Sequence, residues 1–122
     1  ILACLLAAEI AAFSGLSLGQ LYEELAKQFG TAQSQRLDIR VRPEEQTMVS
    51  ERLREFNPMV LAGVRVEALD RLEGLRILLE DGSWALVRAS GTEPLFRLYA
   101  EAGGEKQLSQ IQQELMEAMG IR

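Results

Sequence analysis

The stretch Arg88-Ala-Ser-Gly-Thr-Glu-Pro-Leu-Phe-Arg97 concentrates anion-binding chemistry as no other part of this sequence does. Arg88 and Arg97 each offer a planar fork of N–H donors that fits a phosphate in bidentate fashion. Ser90 and Thr92 add hydroxyl donors. Gly91 lets the backbone approach an anion closely or take a positive φ, so that successive N–H groups can point into one concavity. Pro94 stiffens the exit. The competing reading of the same residues is a tight β-turn held by the Ser90 and Thr92 side chains, with both arginines paired to surface carboxylates.

Two strand patterns must position this loop, Ser83–Ala89 before it and Leu95–Ala102 after it. Asp81-Gly82, between two apolar runs, predicts a hairpin turn. Upstream, Leu75, Ile77 and Leu79 alternate with Arg76 and Leu78, and Val64, Val66 and Ala68 alternate with Arg65 and Glu67 in a strand region opening at Leu61. Residues 36–42 alternate strictly, with Leu37, Ile39 and Val41 on one side and charges on the other. Pro43, with Glu44 and Glu45 behind it, predicts the first turn of a helix that runs to about Phe56 and stops at Asn57-Pro58. Gly103-Gly104 breaks the last strand, and Leu108, Ile111, Leu115 and Met119 mark the apolar stripe of a helix over about Glu105–Met119. Strand, helix, several antiparallel strands and helix make an α+β layer. It is an antiparallel sheet of four to five strands with two helices on one face.

The first 30 residues read differently. Ile1–Phe13 is apolar nearly all round apart from Glu9, which suits a helix buried inside a larger domain. It is too short to span a bilayer and lacks the basic flank of a signal peptide, so a membrane partner is not expected. Ser14-Gly15 ends it. Ser17 and Gln20 form a capping box for a second helix carrying Leu18, Leu21, Tyr22, Leu25 and Phe29, closed by Gly30. Thr31–Gln35 reads as a polar linker. The boundaries are therefore residues 1–30 and 31–122, and the start at Ile1 suggests a piece of a longer protein.

The 122 residues are 48% hydrophobic and 25% charged, ordinary globular chemistry with room for one compact domain and an appendage. A net charge of −5 argues against nucleic-acid partners, which require a basic face. The single cysteine, Cys4, permits no internal disulfide, and nothing points to secretion. The absence of histidine rules out Ser–His catalysis and histidine metal sites within the chain. No carboxylate cluster has metal-ligand spacing.

Arg88-Ala-Ser90-Gly-Thr-Glu-Pro94, followed by Arg97-Leu-Tyr99-Ala-Glu101-Ala and preceded by Asp81-Gly82-Ser83-Trp84-Ala-Leu-Val87, closely resembles the C-terminal domain of the α-D-phosphohexomutases. The resemblance covers essentially the whole chain, and the loop is its diagnostic part. It implies a TATA-binding-protein-like fold for 31–122 and assigns residues 1–30 to the last helices of the preceding third domain. It further implies that Arg88, Ser90, Gly91, Thr92 and Arg97 grip the phosphate of the sugar that is not being transferred, with Glu93 and Pro94 in support. Such a parent enzyme interconverts hexose 1- and 6-phosphates through a phosphoserine and a hexose bisphosphate, in the cytoplasm.

The resemblance places the phosphoserine and the Asp-x-Asp-x-Asp loop that holds Mg2+ in upstream domains. Neither string occurs here, so no catalytic or metal residue is expected in this chain and the fragment should be inactive alone. The implied partners are a phosphosugar and the upstream domains, with a hinge at the linker. Leu98-Tyr99-Ala100 looks closer to the phosphoglucomutase/phosphomannomutase branch than to phosphoglucosamine mutase, the alternative. A non-enzymatic anion- or partner-binding module is the reading from another class. Glu93 reads as a carboxylate orienting Arg88 or Arg97, Tyr99 and Glu101 as support or surface residues on Arg97's face, and Trp84 as packing rather than sugar stacking.

Overall fold

Alternation between core and solvent builds a single antiparallel sheet, the backbone of the computed structural model, which describes residues 1–121. The chain divides into two contact units, Ile1–Thr31 and a second that begins at Ala32.

The first unit holds α1 (Leu2–Ser14) and α2 (Leu18–Phe29). Gly15 ends α1 in the left-handed conformation at φ 67°, and the Ser17–Gln20 capping box starts α2. Neither helix buries a residue. Leu2, Leu5, Leu6, Ile10 and Phe13 of α1 are exposed, as are Tyr22, Leu25 and Phe29 of α2. Among the described residues no single helix is long and apolar enough to cross a membrane.

The second unit runs β1 (Gln33–Arg40), a 3-10 turn (Pro43–Glu45), α3 (Gln46–Glu55), β2 (Val60–Leu61), β3 (Val64–Asp70), β4 (Leu75–Leu79), β5 (Trp84–Ala89), β6 (Leu95–Ala102) and α4 (Glu105–Met119). The sheet order is β1-β6-β5-β4-β3-β2, with every neighbour antiparallel. One face carries Ile39, Leu75, Ile77, Ala85, Val87, Phe96, Leu98 and Ala100. It forms one core with Val49 and Leu53 of α3 and Leu108, Ile111, Leu115 and Met119 of α4. The two helices therefore lie on one face, as the periodicity predicts. The opposite face carries Arg36, Asp38, Arg76, Trp84, Leu86, Arg88, Arg97, Tyr99 and Glu101, none of which belongs to that core.

Four features differ from the sequence expectation. The sheet has six strands, not four to five. The run opening at Leu61 is broken by a two-residue turn with Ala62 at φ 50° and Gly63 at φ 77°, which separates the short β2 from β3. The polar segment Gln33–Gln35 is strand rather than linker, pairing with Ala102–Ala100. There Gln112, a buried polar residue of α4, donates to Gln35 Oε1 at 3.1 Å, so polar residues are satisfied at a position where an apolar alternation was sought. Finally, Pro43–Glu45 is a 3-10 turn and the α-helix proper starts at Gln46.

The Asp81-Gly82 turn forms as expected, with Gly82 at φ 85°. Asp81 accepts from the Ser83 amide at 2.9 Å and from Gln107 of α4 at 2.6 Å, which ties the turn to the helix. The hydrogen bond from Gln107 and those from Ser83 lower the Asp81 pKa, partly opposed by desolvation.

Candidate anion site at the β5–β6 connection

β5 and β6 form an antiparallel ladder in which Arg88 stands directly opposite Arg97. Directly paired residues in an antiparallel ladder project from the same face, so two guanidinium groups stand side by side on the face opposite the core. Arg97 is also opposite Asp38 of β1. That carboxylate is already engaged, because Arg36 holds it by Nε at 3.1 Å and by Nη2 at 3.2 Å. Among the described residues neither Arg88 nor Arg97 forms an ion pair, and the buried Nε of Arg97 has no hydrogen-bond partner. Among the described residues the surface-carboxylate pairing of the turn reading is not found, and no ion pair joins Glu93 to either arginine.

The connection itself is a tight turn. The Ser90 amide donates to the Leu95 carbonyl at 2.9 Å, and the Leu95 amide donates to the Glu93 carbonyl at 2.8 Å. The Thr92 amide points at Ser90 Oγ at 3.5 Å, a long contact. Val41 donates to the Pro94 carbonyl at 3.1 Å, which fixes the exit against the end of β1. Gly91, Thr92, Glu93 and Pro94 are exposed. Among the described residues the amides of Gly91 and Glu93 have no protein acceptor. Gly91 does not take a positive φ, and a Cβ there would meet nothing within 4 Å. Of the two uses of this glycine, close approach of the backbone to an anion is the one that remains.

Two residues that sequence reasoning placed in the background or passed over act on Arg88. Tyr99 lies one step along β6 on the same face. Its hydroxyl accepts from Arg88 Nη2 at 3.4 Å, and the guanidinium carbon lies 5.5 Å from the ring centroid. The hydrogen bond from Arg88 lowers the Tyr99 phenol from its ordinary value. The charges of Arg88, Arg36 and Arg97 add to this, and desolvation opposes it. Gly74, just before β4, has φ 135°, and a Cβ there would lie 2.9 Å from Arg88 Cβ and strike the Val87 carbonyl oxygen. Only glycine permits this approach. The signal for Tyr99 was its period-two relation to Arg97, and the signal for Gly74 was an isolated glycine at the head of an apolar strand.

Two cavities bear on the site. One of about 210 Å³ lies behind the end of β5, lined in part by Arg54, Arg71, Gly74 and Arg88. A larger one, about 880 Å³, is lined by Leu37, Arg52, Gln112, Met116 and neighbours, and contains none of the loop residues. The loop and its two arginines, rather than the larger cavity, hold the residue types suited to an anion. Among the described residues there is no group of three or more acidic, cysteine or histidine side chains that could hold a metal ion.

Residues 38–118 match the family described as "Phosphoglucomutase/phosphomannomutase, C-terminal domain". A probable phosphoglucosamine mutase of Methanopyrus kandleri is 36% identical over 77 residues, 63% of this chain and 15% of that protein. A phosphopentomutase of Thermococcus kodakarensis is 36% identical over 88 residues, 72% of this chain and 19% of that protein. Among solved structures, a phosphoglucomutase/phosphomannomutase family protein from Burkholderia thailandensis shares the fold with a TM-score of 0.56 at 22% identity. That match covers 80% of this chain and 20% of the other. The chain thus spans less than a fifth of the length of these two curated relatives.

Proposed function

Because the chain belongs to the phosphoglucomutase/phosphomannomutase C-terminal domain family, we propose that it is the part of a sugar-phosphate mutase that grips the substrate's non-reacting phosphate. The observation that carries this reading is the side-by-side pair Arg88 and Arg97, both without a carboxylate partner among the described residues, at the mouth of the Ser90–Pro94 turn. In this reading the two forks, the Ser90 and Thr92 hydroxyls and the Gly91 and Glu93 amides share one phosphate. Pro94 and the turn hydrogen bonds hold the loop in shape.

The task is positioning. A phosphate held at one end of the sugar fixes the hydroxyl at the other end near the phosphoryl donor, and such pre-ordering is worth up to about 7–11 kcal/mol in well-oriented reactions. The parent interconverts a sugar 1-phosphate with the isomer phosphorylated at the far end, through a phosphoserine and a bisphosphate. A single loop can serve both half-reactions because each end of the bisphosphate carries the same group. In this reading the catalytic serine and the magnesium ligands belong to other domains of the parent, and the chain alone is inactive. The exposed apolar surface of α1 and α2 fits the tail of a preceding domain. The names of the relatives and of the structural neighbour span hexose, amino-hexose and pentose phosphates.

The test is kinetic, on the full-length parent. Arg88→Ala removes charged hydrogen bonds worth roughly 1.5–3 kcal/mol, so kcat/KM falls about one to two decades, with KM raised and kcat lowered together. If Arg88→Ala and Ser90→Ala both stayed within about twofold of wild type, with the fold intact by circular dichroism, the loop would be a structural turn.

A further inference from the structure

We propose that Tyr99 is a positioning residue for Arg88: its hydroxyl and ring hold the guanidinium on the open face of the sheet beside Arg97, where one anion can bridge both. This deepens the phosphate reading above and rests on it for Tyr99's purpose, though not for the contact itself. An unpaired arginine samples many rotamers, and ordering it on binding costs affinity. Here the Tyr99 hydroxyl accepts one guanidinium proton at 3.4 Å and the ring underlies the same group at 5.5 Å. The remaining N–H donors stay available to a ligand. Gly74 packs against the Arg88 backbone where any side chain would collide, so the main chain beneath the guanidinium is held as well.

The charges facing Tyr99 decide what it senses. Arg36 stands opposite it on β1 and Leu86 opposite it on β5, where Arg88 follows along the same face. Arg97 and Glu101 flank it on β6, and Asp38 is tied to Arg36. Arg76 of β4 lies beyond Leu86 in the same row. The surplus is positive, and it favours the phenolate. An anion on Arg88 and Arg97 cancels part of that field, so Tyr99 reports occupancy of the site through its own titration.

The experiment uses the 122-residue chain with Tyr22→Phe, which leaves Tyr99 as its one phenol. Phenol titration by ultraviolet absorbance is followed with and without Arg88→Gln, and with and without inorganic phosphate. The expected result is that Tyr99 titrates at lower pH with Arg88 present, and that Arg88→Gln or saturating phosphate moves its midpoint upward. Phosphate affinity falls about threefold in Tyr99→Phe, which keeps the ring, and about tenfold in Tyr99→Ala. An unchanged Tyr99 titration in Arg88→Gln overturns the contact. Equal phosphate affinity in Tyr99→Ala and wild type overturns the positioning role while leaving the phosphate loop standing. Absence of phosphate binding by the wild type overturns the loop reading and Tyr99's task together, whatever the titration shows of the contact.

Discussion

Arg88 and Arg97 face each other across the β5–β6 ladder on the same side of the sheet, and the carboxylate opposite Arg97, Asp38, is held by Arg36 instead. Like charges directly opposed on a sheet destabilise it by up to about 1 kcal/mol. The fold therefore carries a small electrostatic cost at this position, and an anion between the two forks removes it. A structural turn has no use for such a pair.

Neutralising one arginine should separate stability from binding. Arg88→Gln keeps much of the side chain and removes the repulsion, so the melting temperature should stay within a few degrees of wild type or rise. Phosphate affinity should fall about tenfold or more, the value of a charged hydrogen bond. Thermal melts beside phosphate titrations check both halves, and a variant that melts far lower while binding phosphate normally would reverse the assignment.

Gly74→Ala should be among the more destabilising single changes at an exposed-looking position. The new Cβ would meet the Val87 carbonyl and Arg88 Cβ from a backbone at φ 135°. Strain of this kind costs about 1–3 kcal/mol. Urea melts measure it, and a loss below about 0.5 kcal/mol, the usual surface background, would show that the β4–β5 approach is looser than described.

Much of this arrangement was legible in the residues, for identifiable reasons. β5, β6 and α4 were readable because Ala85 and Val87, Leu98 and Ala100, and the Leu108–Met119 stripe each keep one period without interruption. The start of β1 was not, because Gln33–Gln35 is polar throughout and Gln35 satisfies its side chain through Gln112 rather than through burial. β2 was hidden because two residues carry no period, and Ala62 gives no warning of its positive φ. At the site, the residue types named the chemistry. The lack of partners for Arg88 and Arg97 depended on where Arg36 sends its fork, which no local pattern encodes.

Residues 32–122 should fold without the first thirty-one. Every residue of the hydrophobic core lies in the second unit, between Leu37 and Ile121. The truncated chain should give a dispersed NMR spectrum and a cooperative melt. A collapsed spectrum would show that the first two helices are needed for the sheet to form.

The Asp81–Gln107 contact makes a pH-dependent contribution. The folded-state pKa of Asp81 is lowered, chiefly by the Gln107 hydrogen bond. Its stabilisation is therefore present above the ordinary carboxylate range and is lost as pH falls through the lower folded value. Asp81→Asn, which preserves the acceptor toward Ser83, should be slightly less stable than wild type at neutral pH. The difference should close in strong acid. A gap that stayed constant with pH would show that charge plays no part in the contact.

The central claim is that the β5–β6 turn binds a phosphate, and the most direct measurement is an amide NMR titration of the 122-residue chain with inorganic phosphate. The account predicts saturable shifts at Gly91, Thr92 and Glu93 and at the Arg88 and Arg97 side chains. The dissociation constant should be on the order of millimolar, weak because the sugar contacts and an enclosing cleft are missing. Arg88→Gln should weaken those shifts. No saturable shift in the turn, or shifts of equal size scattered over other arginines such as Arg54 and Arg71, would contradict it.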